Sequence, residues 1–113
     1  MTAGYTKNEF VDLQGPDEDG VFVLTLIGNG KEHRLTEQGL KCLKEAIRLV
    51  EKNDGPTALV ITGGKGEKFF SNGFELDWLL KDSDNALTSF YELFKMMIQY
   101  PLPTIAAVNG HAF

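Results

Sequence analysis

The residues of this sequence best suited to chemistry surround an Asn-Gly pair, Asn72-Gly73, within the stretch KFFSNGFELDWL. The residues just before the pair, Phe69–Ser71, are typical of a strand, and the acidic, amphipathic residues after it are typical of a short helix. A glycine lets the backbone approach a ligand closely, and N–H groups at the start of a helix attract negative charge. The junction is therefore either a simple turn or a place where backbone N–H groups bind an anion.

Other candidate groups are better explained by structure than by catalysis. The segment TGGKGEKFF fits neither GxxxxGK[ST] nor a helix-opening GxGxxG, so a surface loop is favoured over a nucleotide site. Cys42 lies on a predicted amphipathic helix and is interpreted as a packed thiol. Glu75 and Asp77 are two positions apart and point to different faces of a helix, which favours helix-start electrostatics over a carboxylate pair. His111 follows a predicted strand, and a catalytic role for it stays open.

The composition argues against several classes of function. The formal net charge is −5 and the 11 Lys and Arg residues are scattered, which disfavours a nucleic-acid partner. One cysteine and two histidines argue against a disulfide framework and a metal site. The apolar runs are far too short to span a membrane, and the segment MTAGYTKNEF lacks the apolar core of a secretion signal. These features predict an intracellular, metal-free domain.

Strands and helices that would hold the junction alternate along the chain. The strand patterns cover Phe10–Gln14, Val21–Gly28, Thr57–Gly63, Phe69–Ser71 and Thr104–Val108. The second and third of these are almost continuously apolar, which predicts burial on both faces of a sheet. Strands that alternate with helices predict an α/β fold with a largely parallel sheet and flanking helices.

Two long helices are predicted between these strands. Thr36 is expected to cap a helix that runs to about Lys52. The second helix is expected to begin at Ser83 or Asp84 and to end near Tyr100, before two prolines. Its expected core face consists of Leu87, Phe90, Phe94, Met97 and Ile98.

A second Asn-Gly pair, Asn109-Gly110, also follows a predicted strand. Because the carboxyl ends of parallel strands share one edge of a sheet, we expect both pairs at that edge, where ligands bind. The last strand is followed only by NGHAF. No helix follows to cover the sheet, which predicts that the chain is truncated.

Three segments resemble the crotonase superfamily, the enoyl-CoA hydratases and isomerases. EKFFSNGFELDWL is similar to the first signature of that family, in which a strand ends in Phe-Ser/Ala-x-Gly-x-Asp/Glu-Leu. PLPTIAAVNGHAF resembles the approach to the second signature, and GKEHRLTEQGL resembles the early loop and helix that line the coenzyme A site. The segments occur in the family's order and look nearest to the branch of plant peroxisomal Δ3,Δ2-enoyl-CoA isomerases.

The resemblance implies a fold, a substrate class and an assembly. The fold would be the N-terminal portion of a crotonase-like ββα spiral, with residues 1–113 forming a partial domain that stops before the second oxyanion-hole turn. The implied substrate is an acyl-CoA thioester, with no separate cofactor, and the implied assembly is a homo-oligomer based on trimers. The implied location is the peroxisome, although the chain ends in His-Ala-Phe rather than Ser-Lys-Leu, so the cytoplasm is the alternative.

The resemblance also assigns roles to residues. The family forms an enolate with its charge on the thioester oxygen, and two backbone N–H groups bind that oxygen. By match to the first signature, one of them is the N–H of Phe74, while Glu75 stands where the family usually has Asp. Lys31 or Arg34 would meet the phosphates of CoA. The implied substrate-binding residues are His33, Leu35, Asn72, Gly73, Phe74, Glu75 and Leu76.

Three functions remain open from the sequence. The first is isomerisation of 3-enoyl-CoA to 2-trans-enoyl-CoA in fatty-acid breakdown, and the second is hydration of 2-enoyl-CoA. The third is a non-catalytic chain that binds full-length subunits. In the family, the acid–base carboxylate and the second N–H donor lie beyond the segment matched here. The 113-residue chain alone is therefore expected to be a poor isomerase.

Overall fold

The computed structural model describes residues 6–28, 30 and 32–113, in which strands and helices alternate. Lys31, an expected phosphate contact, lies outside the described residues. The strands are β1 Thr6–Lys7, β2 Val11–Gln14, β3 Val21–Leu26, β4 Ala58–Thr62, β5 Phe69–Ser71, β6 Thr104–Ala107 and β7 His111–Ala112. The helices are α1 Glu37–Glu51, α2 Leu76–Lys81 and α3 Ser83–Ile98.

The main sheet has the strand order β1-β2-β3-β4-β6. Strands β3, β4 and β6 are parallel, whereas β1 and β2 are antiparallel to their neighbours. Short connections join β1 to β2 and β2 to β3, and short connections permit only antiparallel pairing. The predicted α/β alternation is confirmed, and the parallel pairing occurs where helical crossovers separate the strands.

Helix α1 supplies much of the core through its buried residues, which are Leu40, Leu43, Ala46, Ile47 and Val50. Its side chains pack against β2, β3 and β4 in one cluster of buried apolar residues. The side-chain oxygen of Thr36 accepts a hydrogen bond from the N–H of Gly39 at 2.9 Å, so the predicted cap is confirmed. The fully buried side chains include Val11, Leu13, Phe22, Leu24, Leu40, Ile47, Val50 and Leu59.

The prediction that β3 and β4 are buried on both faces is wrong. In β3 the side chains of Phe22 and Leu24 are fully buried, whereas Val23 between them is 38% exposed. In β4 only Leu59 is buried. Within the described residues the helices pack on one face of the sheet, so alternate side chains point to an uncovered face.

The predicted core face of α3 is also wrong in part. Phe90 and Met97 pack against the core as expected, but Leu87, Phe94 and Ile98 are exposed. Apolar side chains occupy two adjoining stripes of this helix, and the pattern alone did not identify the stripe that faces inward. No helix in the described part of the chain is long and apolar enough to cross a membrane.

Candidate functional site

The junction after β5 is held by Leu35, which lies in the loop before α1. The N–H of Leu35 donates to the carbonyl of Gly73 at 2.7 Å, and the carbonyl of Leu35 accepts from the N–H of Glu75 at 2.9 Å. Leu35 and Phe74 thereby form an isolated parallel bridge. Both backbone polar groups of Leu35 are used to fix the two peptide groups that flank Phe74.

This pairing determines where the N–H of Phe74 points. The carbonyl of Gly73 and the N–H of Phe74 belong to one planar trans peptide group, so they point in opposite directions. Because the Gly73 carbonyl is bound to Leu35, the Phe74 N–H points away from Leu35. Among the residues that the structure describes, this N–H donates no hydrogen bond to another protein group. An oriented donor without a protein partner is therefore present at the predicted oxyanion position.

Glycine is required at position 73 by its backbone conformation. Gly73 has a φ of +80°, in the left-handed region that other residues rarely adopt. A Cβ atom placed there would lie 3.6 Å from the carbonyl oxygen of Phe113, which is ordinary van der Waals contact. Backbone strain, rather than crowding, is thus the main obstacle to a residue other than glycine at position 73.

Arg34 contacts the same junction from the side of the Phe74 carbonyl. Its Nη1 atom lies 3.2 Å from the carbonyl oxygen of Phe74 and 3.5 Å from that of Asn72. Its Nε donates to Glu32 at 2.8 Å, and the Asn72 side-chain amide donates to the same carboxylate oxygen at 3.1 Å. The hydrogen bond from Arg34, followed by that from Asn72, lowers the pKa of Glu32 below its usual value.

His33 is brought to the junction, but its ring faces the interior. The side chain is only 4% exposed, and its Nδ1 lies 3.1 Å from the carbonyl oxygen of Phe70. The hydroxyl of Ser71 donates to the His33 carbonyl at 2.9 Å. His33 therefore helps to join the two segments, and its ring is not available to a ligand in this structure.

The side chain of Phe74 anchors the junction to the helices. Its ring lies 6.0 Å from that of Trp78 on α2 and 5.5 Å from that of Phe90 on α3. Leu76, by contrast, is 58% exposed. The ring of Phe74 thus packs against the core, while the next residue but one is exposed to solvent.

A cleft of about 450 Å³ lies beside the junction. Three carboxylates and a single guanidinium line it, so its charge does not favour a phosphate. The phosphate contact expected for Arg34 stays a prediction, because the guanidinium is already bonded within the chain. The lining residues are Gly30, Glu32, Arg34, Glu75, Leu76 and Asp77.

The expectation that both Asn-Gly pairs share one edge of a single sheet is wrong. Strand β5 does not join the main sheet; it pairs with β7 in a separate two-stranded ribbon. Asn109 lies before β7, where its side chain accepts from the N–H of Gly63 at 2.8 Å and donates to the carbonyls of Glu67 and Phe69. Asn109 therefore acts as a connector at the other end of the ribbon from Gly73.

Two roles were not foreseen from the sequence. The contacts of Arg34 to the junction and of Asn109 to the loop after β4 are between side chains and backbone groups about 40 residues away. Local patterns carry no signal for such contacts.

His111 lies on β7 with an exposed ring 6.0 Å from that of Phe113 and 5.6 Å from that of Phe69. Its catalytic role stays a prediction.

Known proteins are similar to this chain in sequence and in fold. The model of the family described as enoyl-CoA hydratase/isomerase matches residues 17–113. Enoyl-CoA delta isomerase 3 of Arabidopsis thaliana is 33% identical over 99 residues, which cover 81% of this chain and 41% of that protein. Enoyl-CoA delta isomerase 2 of the same plant, named as peroxisomal, is 36% identical over 101 residues with the same coverage. The chain spans about two fifths of the length of these curated relatives.

Solved structures with the same arrangement carry names for both reactions. An enoyl-CoA isomerase of Mycobacterium tuberculosis matches with a TM-score of 0.79 at 30% identity, over 92% of this chain and 44% of that one. An enoyl-CoA hydratase of Mycobacterium ulcerans matches with a TM-score of 0.75 at 30% identity, over 90% of this chain and 44% of that one.

Proposed function

This chain belongs to the enoyl-CoA hydratase/isomerase family, and from that premise we propose that its Asn72–Phe74 junction is an oxyanion site for an acyl-CoA thioester. The structural matches confirm the crotonase-like α/β fold and the correspondence to the N-terminal part of the relatives. The proposed reaction is isomerisation of a 3-enoyl-CoA to a 2-trans-enoyl-CoA, which is the reaction class for which the Arabidopsis relatives are named.

The direction of the Phe74 N–H, away from Leu35, is the observation that carries the proposal. A donor aimed at the position where charge develops stabilises a transition state most when its direction is fixed in advance. The bond between Leu35 and the Gly73 carbonyl supplies that fixed direction. A simple turn does not require the Phe74 N–H to be held in one direction. An anionic oxygen as ligand explains why this N–H has no hydrogen bond in the described residues and why Leu35 fixes its peptide group.

The chemistry assigned to this chain is the stabilisation of an enolate. In the proposed reaction a base removes a proton from C2 of the 3-enoyl thioester, and the negative charge moves onto the thioester oxygen. The N–H of Phe74 donates to that oxygen, and a proton then returns at C4. The other N–H donor and the acid–base carboxylate are not assigned to any described residue.

A fusion protein tests this role directly. Residues 1–113 would replace the matching segment of the Arabidopsis delta isomerase 2, and 3-enoyl-CoA isomerisation would be measured beside the parent enzyme. We expect the fusion to be active, and a Gly73→Val fusion to lose about 10²–10³ in turnover, as when one oxyanion donor is removed. A folded Gly73→Val fusion with unchanged turnover would contradict the proposal.

Hydration of 2-enoyl-CoA is the alternative within the family, because the M. ulcerans neighbour is named for it. Both reactions pass through an enolate, so the junction serves either one. The same fusion, assayed with 2-trans-enoyl-CoA, shows whether water addition outpaces double-bond migration. Water addition faster than double-bond migration would favour the hydratase reaction.

Assembly and location are also proposed from the relatives. Two of the Arabidopsis isomerases are named as peroxisomal, and we place this protein in the same organelle. We also propose that the chain forms a homo-oligomer or binds full-length subunits, because several large apolar side chains are exposed on α3 and β6. Staining cells with an antibody to the native protein and a peroxisomal marker tests the location.

A further inference from the structure

We infer that Arg34 is a positioning residue for the oxyanion site, and that its guanidinium offsets the negative end of the Phe74 carbonyl. The inference rests on the proposed function of the Phe74 N–H. It assigns to Arg34 a role inside the site rather than on the phosphates of a ligand.

The directions of three peptide groups place Arg34 beside the donor. Glu75 donates its N–H to Leu35, so the carbonyl of Phe74, in the same peptide group, points away from Leu35. The N–H of Phe74 also points away from Leu35. Donor and carbonyl of Phe74 therefore lie on one side of the chain, and the guanidinium of Arg34 binds that carbonyl at 3.2 Å.

The contact between Arg34 and the Phe74 carbonyl changes the electrostatic environment of an anion bound to the Phe74 N–H. An anionic oxygen bound to the Phe74 N–H lies near the partial negative charge of the adjacent Phe74 carbonyl, which repels it. A guanidinium that binds this carbonyl reduces the repulsion and places a positive charge, paired with Glu32, on the side where the enolate forms. Charge-assisted hydrogen bonds are also stronger than neutral ones.

The guanidinium is itself held in place. Its Nε donates to Glu32 at 2.8 Å, and the same carboxylate oxygen accepts from the Asn72 side chain at 3.1 Å. The backbone adds a further link, since the N–H of Asn72 donates to the Glu32 carbonyl at 2.9 Å. The side chain of Arg34 is 28% exposed, so water screens its charge only in part. A rigid, planar donor can serve Glu32 and the junction at once, which a lysine cannot.

The test uses acetoacetyl-CoA, a thioester that loses a C2 proton to water and becomes an enolate with its own near-ultraviolet absorption. The ratio of enolate to neutral probe would be measured at one mildly alkaline pH with the 113-residue chain in excess. We expect the wild-type chain to raise this ratio above that of free probe. Arg34→Met should lower the ratio of enolate to neutral probe about tenfold. Arg34→Lys should restore part of the ratio, because lysine keeps the positive charge but lacks the planar set of donors of the guanidinium.

Arg48→Met is the matched control, because Arg48 is an exposed arginine in the last turn of α1. It should leave the ratio unchanged, and circular dichroism should show that all variants are folded. If Arg34→Met matches the wild type, or Arg34→Lys is no better than Arg34→Met, the role of Arg34 is overturned while the function of the site stands. If the wild-type chain does not raise the ratio, the proposed function fails and the role of Arg34 with it.

Discussion

At the scale of single residues, the site depends on the backbone more than on side chains. The donor is the N–H of Phe74, its direction is set by Leu35, and the left-handed conformation of Gly73 makes the turn possible. The ring of Phe74 has a separate role, since it packs against Trp78 and Phe90. A side-chain change at Phe74 therefore affects packing first and leaves the N–H in the chain.

We expect Gly73→Val to lower the free energy of unfolding by about 1–3 kcal/mol, because a β-branched residue is strained at positive φ. Gly55→Val is a matched control at a φ of +82°, where a Cβ would have no neighbour within 4 Å. Urea unfolding should show similar losses for both variants, but only Gly73→Val should abolish enolate enrichment of acetoacetyl-CoA. Equal enrichment in the two variants would show that the junction is only a turn.

At the scale of elements, helices α1 and α3 are joined near the end of α3. The hydroxyl of Tyr100 donates to the carbonyl of Ile47 on α1 at 2.7 Å. Burial, with a smaller contribution from the charge of Glu51, raises the pKa of Tyr100 to about 12. The segment that links α3 to β6 is thereby attached to the helix that builds the core.

This pKa gives a prediction about alkaline stability. The Tyr100 hydroxyl ionises near pH 10.0 in the unfolded chain and near 12 in the folded one. The folded state therefore binds the Tyr100 proton more tightly than the unfolded chain does. The resulting contribution to the free energy of unfolding is complete below about pH 10 and is lost as the pH rises to about 12. Tyr100→Phe should cost about 1 kcal/mol at neutral pH and should flatten the fall in stability above pH 10.

Urea unfolding between pH 8 and 12 checks the prediction, with Tyr91→Phe as the control at an exposed tyrosine. The control should keep the wild-type pH profile. A Tyr100→Phe profile parallel to that of the wild type would show that burial does not raise the pKa of Tyr100.

At the scale of the whole molecule, large apolar side chains are exposed both on α3 and on β6. On α3 these are Tyr91, Phe94 and Ile98, which are 62%, 57% and 69% exposed, and on β6 Ile105 is 59% exposed. The three residues of α3 are three and four positions apart, so they lie on one stripe of the helix. A stripe of this kind favours association.

We expect the purified chain to self-associate, with a mass by light scattering that rises with concentration. Phe94→Lys and Tyr91→Lys should shift it toward the monomer, because a charge on the apolar stripe opposes its burial. Gln38→Lys adds the same charge to an exposed position of α1, away from the stripe, and should leave the mass unchanged. A wild-type chain that stays monomeric at all concentrations contradicts this prediction.

Features that depend on near neighbours along the chain could be predicted from the sequence. The cap at Thr36, the turn at Gly73 and the order of the longer strands and helices follow from residues within a few positions of each other, and the match to the family follows from short motifs. The two-residue strands β1 and β7 were not predicted. The tertiary structure alone decided the direction of the Phe74 N–H, the contact of Arg34 with the junction and the stripe of α3 that faces inward. Each depends on hydrogen bonds or packing between distant segments: Arg34 and Phe74, for example, are 40 positions apart. Local propensity does not predict such contacts, because they form only when the sheet and the helices assemble.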